Sequence, residues 1–172
     1  MISEYQTIIK EAFKIRERNA LELLLVTKGI KRGDLLDSFL FSDRKPLLKK
    51  LTELIDLGAP LDFFKASDLL EDEDPSTGKK VFYYNIQLAT SEEIAFFKQT
   101  IKEQRAGKVE MGWFYGIPDC CIKAYPSDCI EELPEFTEWR WCSTDCSESL
   151  RLQTEYKRVI QEYFPEIKSF SF

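Results

Sequence analysis

The sequence predicts an α+β fold, mostly helical with a small antiparallel β-sheet. Apolar residues recur at three- and four-residue spacing through most of the first sixty positions, which is helical periodicity. Val81 to Leu88 instead alternates and is rich in aromatic and β-branched residues, the pattern of a strand. Helix-start signals return in the last third of the chain, beside clustered cysteines.

From Ser3 to Arg18, the positions Tyr5, Ile8, Ile9, Ala12, Phe13 and Ile15 line one face of an amphipathic helix. Ala20 to Val26 is nearly continuous in leucine and is expected to be a short buried helix stopped at Lys28-Gly29, with Gly29 and Gly33 framing a turn. Pro46 to Leu57 repeats the helical pattern through Leu47, Leu48, Leu51, Leu54 and Ile55, and Gly58 with Pro60 ends it. Glu71 to Lys80 holds four consecutive acidic residues, then Pro-Ser-Thr-Gly and two lysines, and is expected to be a solvated loop or hairpin tip. The strand at Val81 to Leu88 is expected to pair with Asp62 to Lys65. Thr90 and Glu93 form a capping-box pattern for a helix with Ile94, Phe97 and Ile101 on its apolar face and Gly107 at its end. The length favours a single domain over 1–172, divided into a helical part (1–60), a strand–helix part (61–110) and a cysteine-containing helical part (111–172).

With 44% hydrophobic residues the chain is able to bury one core. A net charge of −6 supplies no basic field for phosphate backbones or anionic lipid, so a nucleic-acid partner is not expected. Residues 1–10 carry Glu4 before any basic residue and no continuous apolar stretch. Neither a signal peptide nor a membrane anchor is read there, and a cytoplasmic protein with no membrane partner is expected. Neither a P-loop nor a Gly-x-Gly-x-x-Gly pattern occurs. The neighbouring acids Glu92-Glu93 and Glu131-Glu132 point in different directions and are read as surface groups. There is no histidine, which removes every imidazole-based device and leaves sulfur as the notable chemistry.

The five cysteines are Cys120, Cys121, Cys129, Cys142 and Cys146. In a reducing compartment such clusters more often bind metal or do redox work than form structural disulfides, hyperthermophile proteins excepted. Pro118 suits the first position of a helix and places Asp119, Cys120 and Cys121 in its first turn, where the helix dipole favours thiolate. Ser143 or Thr144 suits the cap of a long helix reaching Phe164, with Cys142 in the incoming loop and Cys146 in the first turn. Two helix N-termini, each presenting a cysteine pair, supply four sulfur ligands, Cys120, Cys121, Cys142 and Cys146, for zinc or an iron–sulfur cluster. Adjacent cysteines strain to ligate one ion, so one of Cys120 and Cys121 is alternatively turned into the core. Cys129 is expected to open another short helix as a packing residue or an unpaired thiol. Trp113, Phe114, Tyr115, Trp139 and Trp141 flank both clusters and are expected to wall the site.

In two motifs the chain resembles a mainly archaeal family catalogued as domain of unknown function 483. Gly116, Ile117, Pro118, Cys120, Cys121 and Tyr125 match the first motif, and Cys142, Ser143, Cys146 and Ser149 the second. The resemblance spans roughly residues 90 to 160 and implies a shared cysteine site without implying a reaction. The family pattern places a histidine shortly before the second cysteine pair, where this chain has Trp139 and Arg140.

Three functions therefore stay open: a cysteine-ligated metal centre, a thiol-redox protein, and a non-enzymatic interaction protein. In the second, Cys120 or Cys121 attacks and Cys142 or Cys146 resolves, or the clusters are joined by disulfides. In the third, the cysteines are buried and inert and the acidic surface meets a basic partner or a second copy of the chain.

Overall fold

A helix of leucines lies at the centre of the protein. The computed structural model describes residues 3–36, 41–65, 70–73, 78, 80–83, 86–102, 112–125, 127, 129–130, 134–137 and 139–170. Helix α1 (Glu4–Ile15) opens with a capping box, in which Ser3 and Gln6 each accept the other's backbone N–H. The single helix expected from Ser3 to Arg18 is broken at Arg16, whose extended backbone both ends α1 and starts α2 (Glu17–Thr27). The break has a packing cause. α1 buries one face, through Ile8, Ile9 and Ala12, whereas Leu21, Leu23, Leu24 and Leu25 of α2 are all fully buried, so α2 must be covered on every side. It is covered by α1, by two strands and by the final helix.

The first sixty residues are not wholly helical. A strand the sequence did not announce, β1 (Gly33–Leu36), follows the turn after α2. Gly33 is required there, because a Cβ on it would come within 2.7 Å of the Leu88 carbonyl oxygen across the sheet. Helix α3 (Phe41–Asp56) starts before Pro46 and carries that proline inside it, then ends at Gly58, whose φ of 85° suits a glycine stop.

The expected strand over Val81 to Leu88 is two strands. β2 (Leu61–Lys65) pairs antiparallel with β5 (Ile86–Thr90), and β5 also pairs with β1, giving the order β1-β5-β2. β3 (Leu70–Glu73) pairs with β4 (Lys80–Tyr83) in a separate hairpin. Glu71, Asp72 and Glu73 thus lie in a strand and not in the expected loop, with Glu73 opposite Lys80 in the register. Ladder bonds are made by the backbone, so a run of like charge does not by itself forbid a strand. Gly78 is exposed, while 74–77 and 79 lie outside the described residues.

Helix α4 (Ile94–Lys102) begins after a turn over residues 91–93, in which Glu93 N–H donates to the Thr90 carbonyl. The side chains of Phe97 and Ile101, Gly107 at the expected helix end, and Glu131 and Glu132 lie outside the described residues. α5 (Asp119–Ala124) is short, and α6 (Ser147–Tyr163) buries Tyr156, Val159, Ile160 and Tyr163 at helical spacing. Phe164, just beyond α6, stacks on Phe13 of α1 with ring centroids 4.3 Å apart. The architecture is mostly helical α+β with a small antiparallel sheet, as the periodicities predict. No described helix is long and apolar enough to cross a membrane.

Candidate metal centre

The starts of α5 and α6 bring four cysteines together. Gly116, at φ 75°, turns the chain ahead of Pro118, which is the N-cap of α5 and not its first helical residue; the Pro118 carbonyl accepts the N–H groups of Cys121 and Ile122. Cys146 is likewise the N-cap of α6, one step before the expected first turn, and its own N–H donates to the Ser143 carbonyl. Both corrections shift a helix start by a residue or more and leave the sulfurs converging.

The sulfur atoms of Cys120, Cys121, Cys142 and Cys146 all lie within 4.8 Å of one another. Cys120 Sγ is 3.5 Å from Cys146 Sγ and 4.0 Å from Cys121 Sγ, and Cys121 Sγ is 3.8 Å from Cys146 Sγ. The adjacent pair therefore faces one point, and neither member turns away. All five cysteines are free thiols, since a disulfide would bring two sulfurs to about 2.05 Å. The group spans the surface: Cys121 and Cys146 are buried, Cys142 is half-buried, and Cys120 is exposed.

Cys121 has the best-supported sulfur. It accepts the backbone N–H of Cys142 at 3.4 Å, and the Ser149 hydroxyl lies 3.2 Å away. That hydroxyl already accepts the indole N–H of Trp139 at 3.2 Å, which leaves its own proton for the sulfurs it faces, Cys121 and Cys146. Ser149 follows Cys146 by three residues and so shares its helix face.

The electrostatics correct a second expectation. Although Cys120 is exposed as a residue, its sulfur is desolvated against the cluster, and this, reinforced by the neighbouring Cys146 and Cys142 thiols, pushes the thiol up to about 12 instead of lowering it. A six-residue helix offers little dipole to oppose this. Burial also raises Cys142. Burial acts in the same direction on Cys146, but the adjacent Ser149 hydroxyl and amide, helped by Cys120 and Cys142, outweigh it and bring that thiol down to about 7. The activated sulfur is thus at the head of the long helix.

Cys129 stands apart from the four, its sulfur 4.0 Å from the Cys121 carbonyl oxygen, and the short helix expected to open there falls on residues that lie outside the described ones. The aromatic wall divides. Trp139 is buried edge-on to Tyr156 of α6, and Trp141 is buried as well. Phe114 and Tyr115 belong instead to a second small cluster with Ala89 and Ile94. Trp113 is partly exposed beneath the Arg32 guanidinium, which lies 3.4 Å from its ring centroid.

No protein-family model, curated protein or solved structure matches the chain. Four cysteines within metal-binding distance are what the molecule itself offers. Ser149 and Trp139 complete the group as supports. Their role was readable in part, because an indole N–H beside buried thiols needs an acceptor and Ser149 sits on the Cys146 face.

Proposed function

We propose that Cys120, Cys121, Cys142 and Cys146 hold one zinc ion in a tetrahedral four-sulfur site that organises the last third of the protein. The observation that carries this is the sulfur spacing. With zinc–sulfur bonds of about 2.3 Å, a regular tetrahedron has edges of about 3.8 Å; the three separations among Cys120, Cys121 and Cys146 are 3.5, 3.8 and 4.0 Å, and Cys142 Sγ lies within 4.8 Å of each of them. In an iron–sulfur cluster the four thiolates are divided among two or four irons around a core of several atoms, which calls for wider spacing across the set. The two hydrogen bonds directed at Cys121 suit a thiolate, as supports around metal ligands commonly do.

The fold supplies a reason for such a clamp. Between the end of α5 and the start of α6, the described residues form turns and bends only. An ion joining Cys120 and Cys121 to Cys142 and Cys146 closes this loop in the folded state, and since the four sulfurs converge only there, metal binding adds directly to folding.

A dithiol–disulfide couple is the second reading, favoured by the 3.5 Å approach of Cys120 and Cys146 and by the lowered Cys146 thiol. One experiment separates the two. Elemental analysis of anaerobically purified protein, with thiol counting on the same sample, should give about one zinc per chain and four unreactive thiols. Metal-free protein with five titratable thiols, or with three and a disulfide, would discard the zinc reading.

A further inference from the structure

A cleft of about 550 Å³ opens against one side of the four sulfurs, a size usual for small-molecule sites. Cys120 is the only one of the four among its lining residues, and it is also the exposed one. Among the described residues, the cleft meets the centre through Cys120. Its other walls mix chemistries. Trp113, Ile30 and Leu152 are apolar, Arg32 and Arg151 are cationic, and Asp119 and Glu148 are anionic.

The charges decide the ligand class. The two arginines and two carboxylates cancel, and four thiolates around a divalent ion leave an excess of negative charge. A polyanion such as a nucleotide is therefore disfavoured. A zwitterion is suited, its carboxylate toward Arg32 and its ammonium toward Asp119. Arg32 sits over Trp113, its guanidinium carbon 3.4 Å from the ring centroid and its Nη1 4.0 Å from Glu93 Oε1, so the cation is in position before any ligand arrives. At the sulfur end, only another soft donor replaces a thiolate without changing what the metal prefers.

We propose that the cleft binds a thiol-bearing amino acid or short peptide whose sulfur takes the place of Cys120 on the metal. This rests on the zinc reading above. In the exchange the bond from zinc to Cys120 breaks, a bond from zinc to the incoming sulfur forms, and the incoming thiol's proton passes to Cys120. No electron is transferred, and the charge of the centre is unchanged. The partially exposed Cys120 is the ligand that can leave, while the buried Cys121 and Cys146, with half-buried Cys142, hold the ion in place.

The test uses zinc-loaded full-length protein with L-cysteine as the probe and L-serine, the same head group without the sulfur, as the control. L-Cysteine should change the Trp113 fluorescence saturably, an effect lost in Trp113→Phe, and L-serine should bind at least about tenfold more weakly. Arg32→Ala should weaken L-cysteine about tenfold, the scale of one charge-assisted hydrogen bond. In Cys120→Ala, an exposed position that the fold tolerates, zinc affinity should fall and be restored by L-cysteine but not by L-serine. Equal binding of the two amino acids, silence toward L-cysteine, or loss of zinc to the probe on gel filtration would each overturn the proposal. Protein that carries no zinc before any probe is added overturns the earlier reading instead, so the two failures are distinguishable.

Discussion

The indole N–H of Trp139 donates to the Ser149 hydroxyl at 3.2 Å, and through that contact a buried aromatic residue orients a hydroxyl toward a cysteine sulfur. Orientation of this kind tunes metal ligands. Ser149→Ala should keep the fold, since the site is buried and alanine is smaller, while lowering zinc affinity by about 10- to 100-fold. Competition against a chromophoric chelator measures this, and an unchanged affinity would remove Ser149 from the centre.

Metal removal should have a local signature. The helices α1 to α3 bury their own apolar faces, whereas the described residues between α5 and α6 lack regular structure. Chelation should therefore lower the melting temperature and speed amide exchange first between Tyr125 and Cys146. Cys121→Ser, at a buried ligand, should reproduce the effect. Uniform exchange along the whole chain would contradict it.

Acidity should release the ion. Cys120 is pushed up to about 12, so at neutral pH the metal-free site carries a proton there that zinc must displace. Affinity should fall about tenfold per pH unit for each proton displaced. The metal-free protein has its own linkage. Cys120 is raised from 9.0, so its contribution to stability is full below pH 9 and is lost as pH rises toward 12. Cys146 is lowered from 9.0 to about 7, so its contribution is full above pH 9 and is lost as pH falls through 7. Denaturant midpoints of metal-free wild type, compared with Cys120→Ala and Cys146→Ala at pH 6, 9 and 11, should show losses of opposite sign.

The buried ion pair beside the sheet gives a prediction independent of the metal. Lys31 is 1% and Asp34 4% exposed, and Lys31 Nζ donates to the Asp34 carboxylate. Asp34→Ala should cost about 3–5 kcal/mol by taking a carboxylate away from a buried ammonium. Lys31→Met combined with Asp34→Leu should cost far less, and chemical denaturation of all three variants distinguishes pair loss from general disruption.

Where periodicity and packing agree, the sequence was legible. The apolar stripe of α1 and the leucine run of α2 both predicted their helices, and the pairing of Asp62 to Lys65 with the second half of Val81 to Leu88 appears as β2 against β5. β1 was missed because Gly33 and Asp34 carry no strand signal and are placed by contact with Leu88 and Ala89, far along the chain. The acidic strand β3 was missed for a related reason, since register is a property of two segments. At the cysteine cluster the four residues were identifiable from pairing alone, and the structure adds that both members of the Cys120-Cys121 pair reach one point. The direction of the thiol shifts was not legible, because it depends on which sulfur is buried beside which.

The contact between Phe13 and Phe164 has a consequence for how the protein is made. Helix α2 leaves the ribosome early, yet part of its covering comes from α6, more than a hundred residues later. At ordinary rates of synthesis, its leucine surface stays incompletely sheltered for on the order of 10 s. Nascent chains stalled before residue 147 should accordingly be retained by chaperones that hold apolar segments, and those extended past Phe164 should be let go.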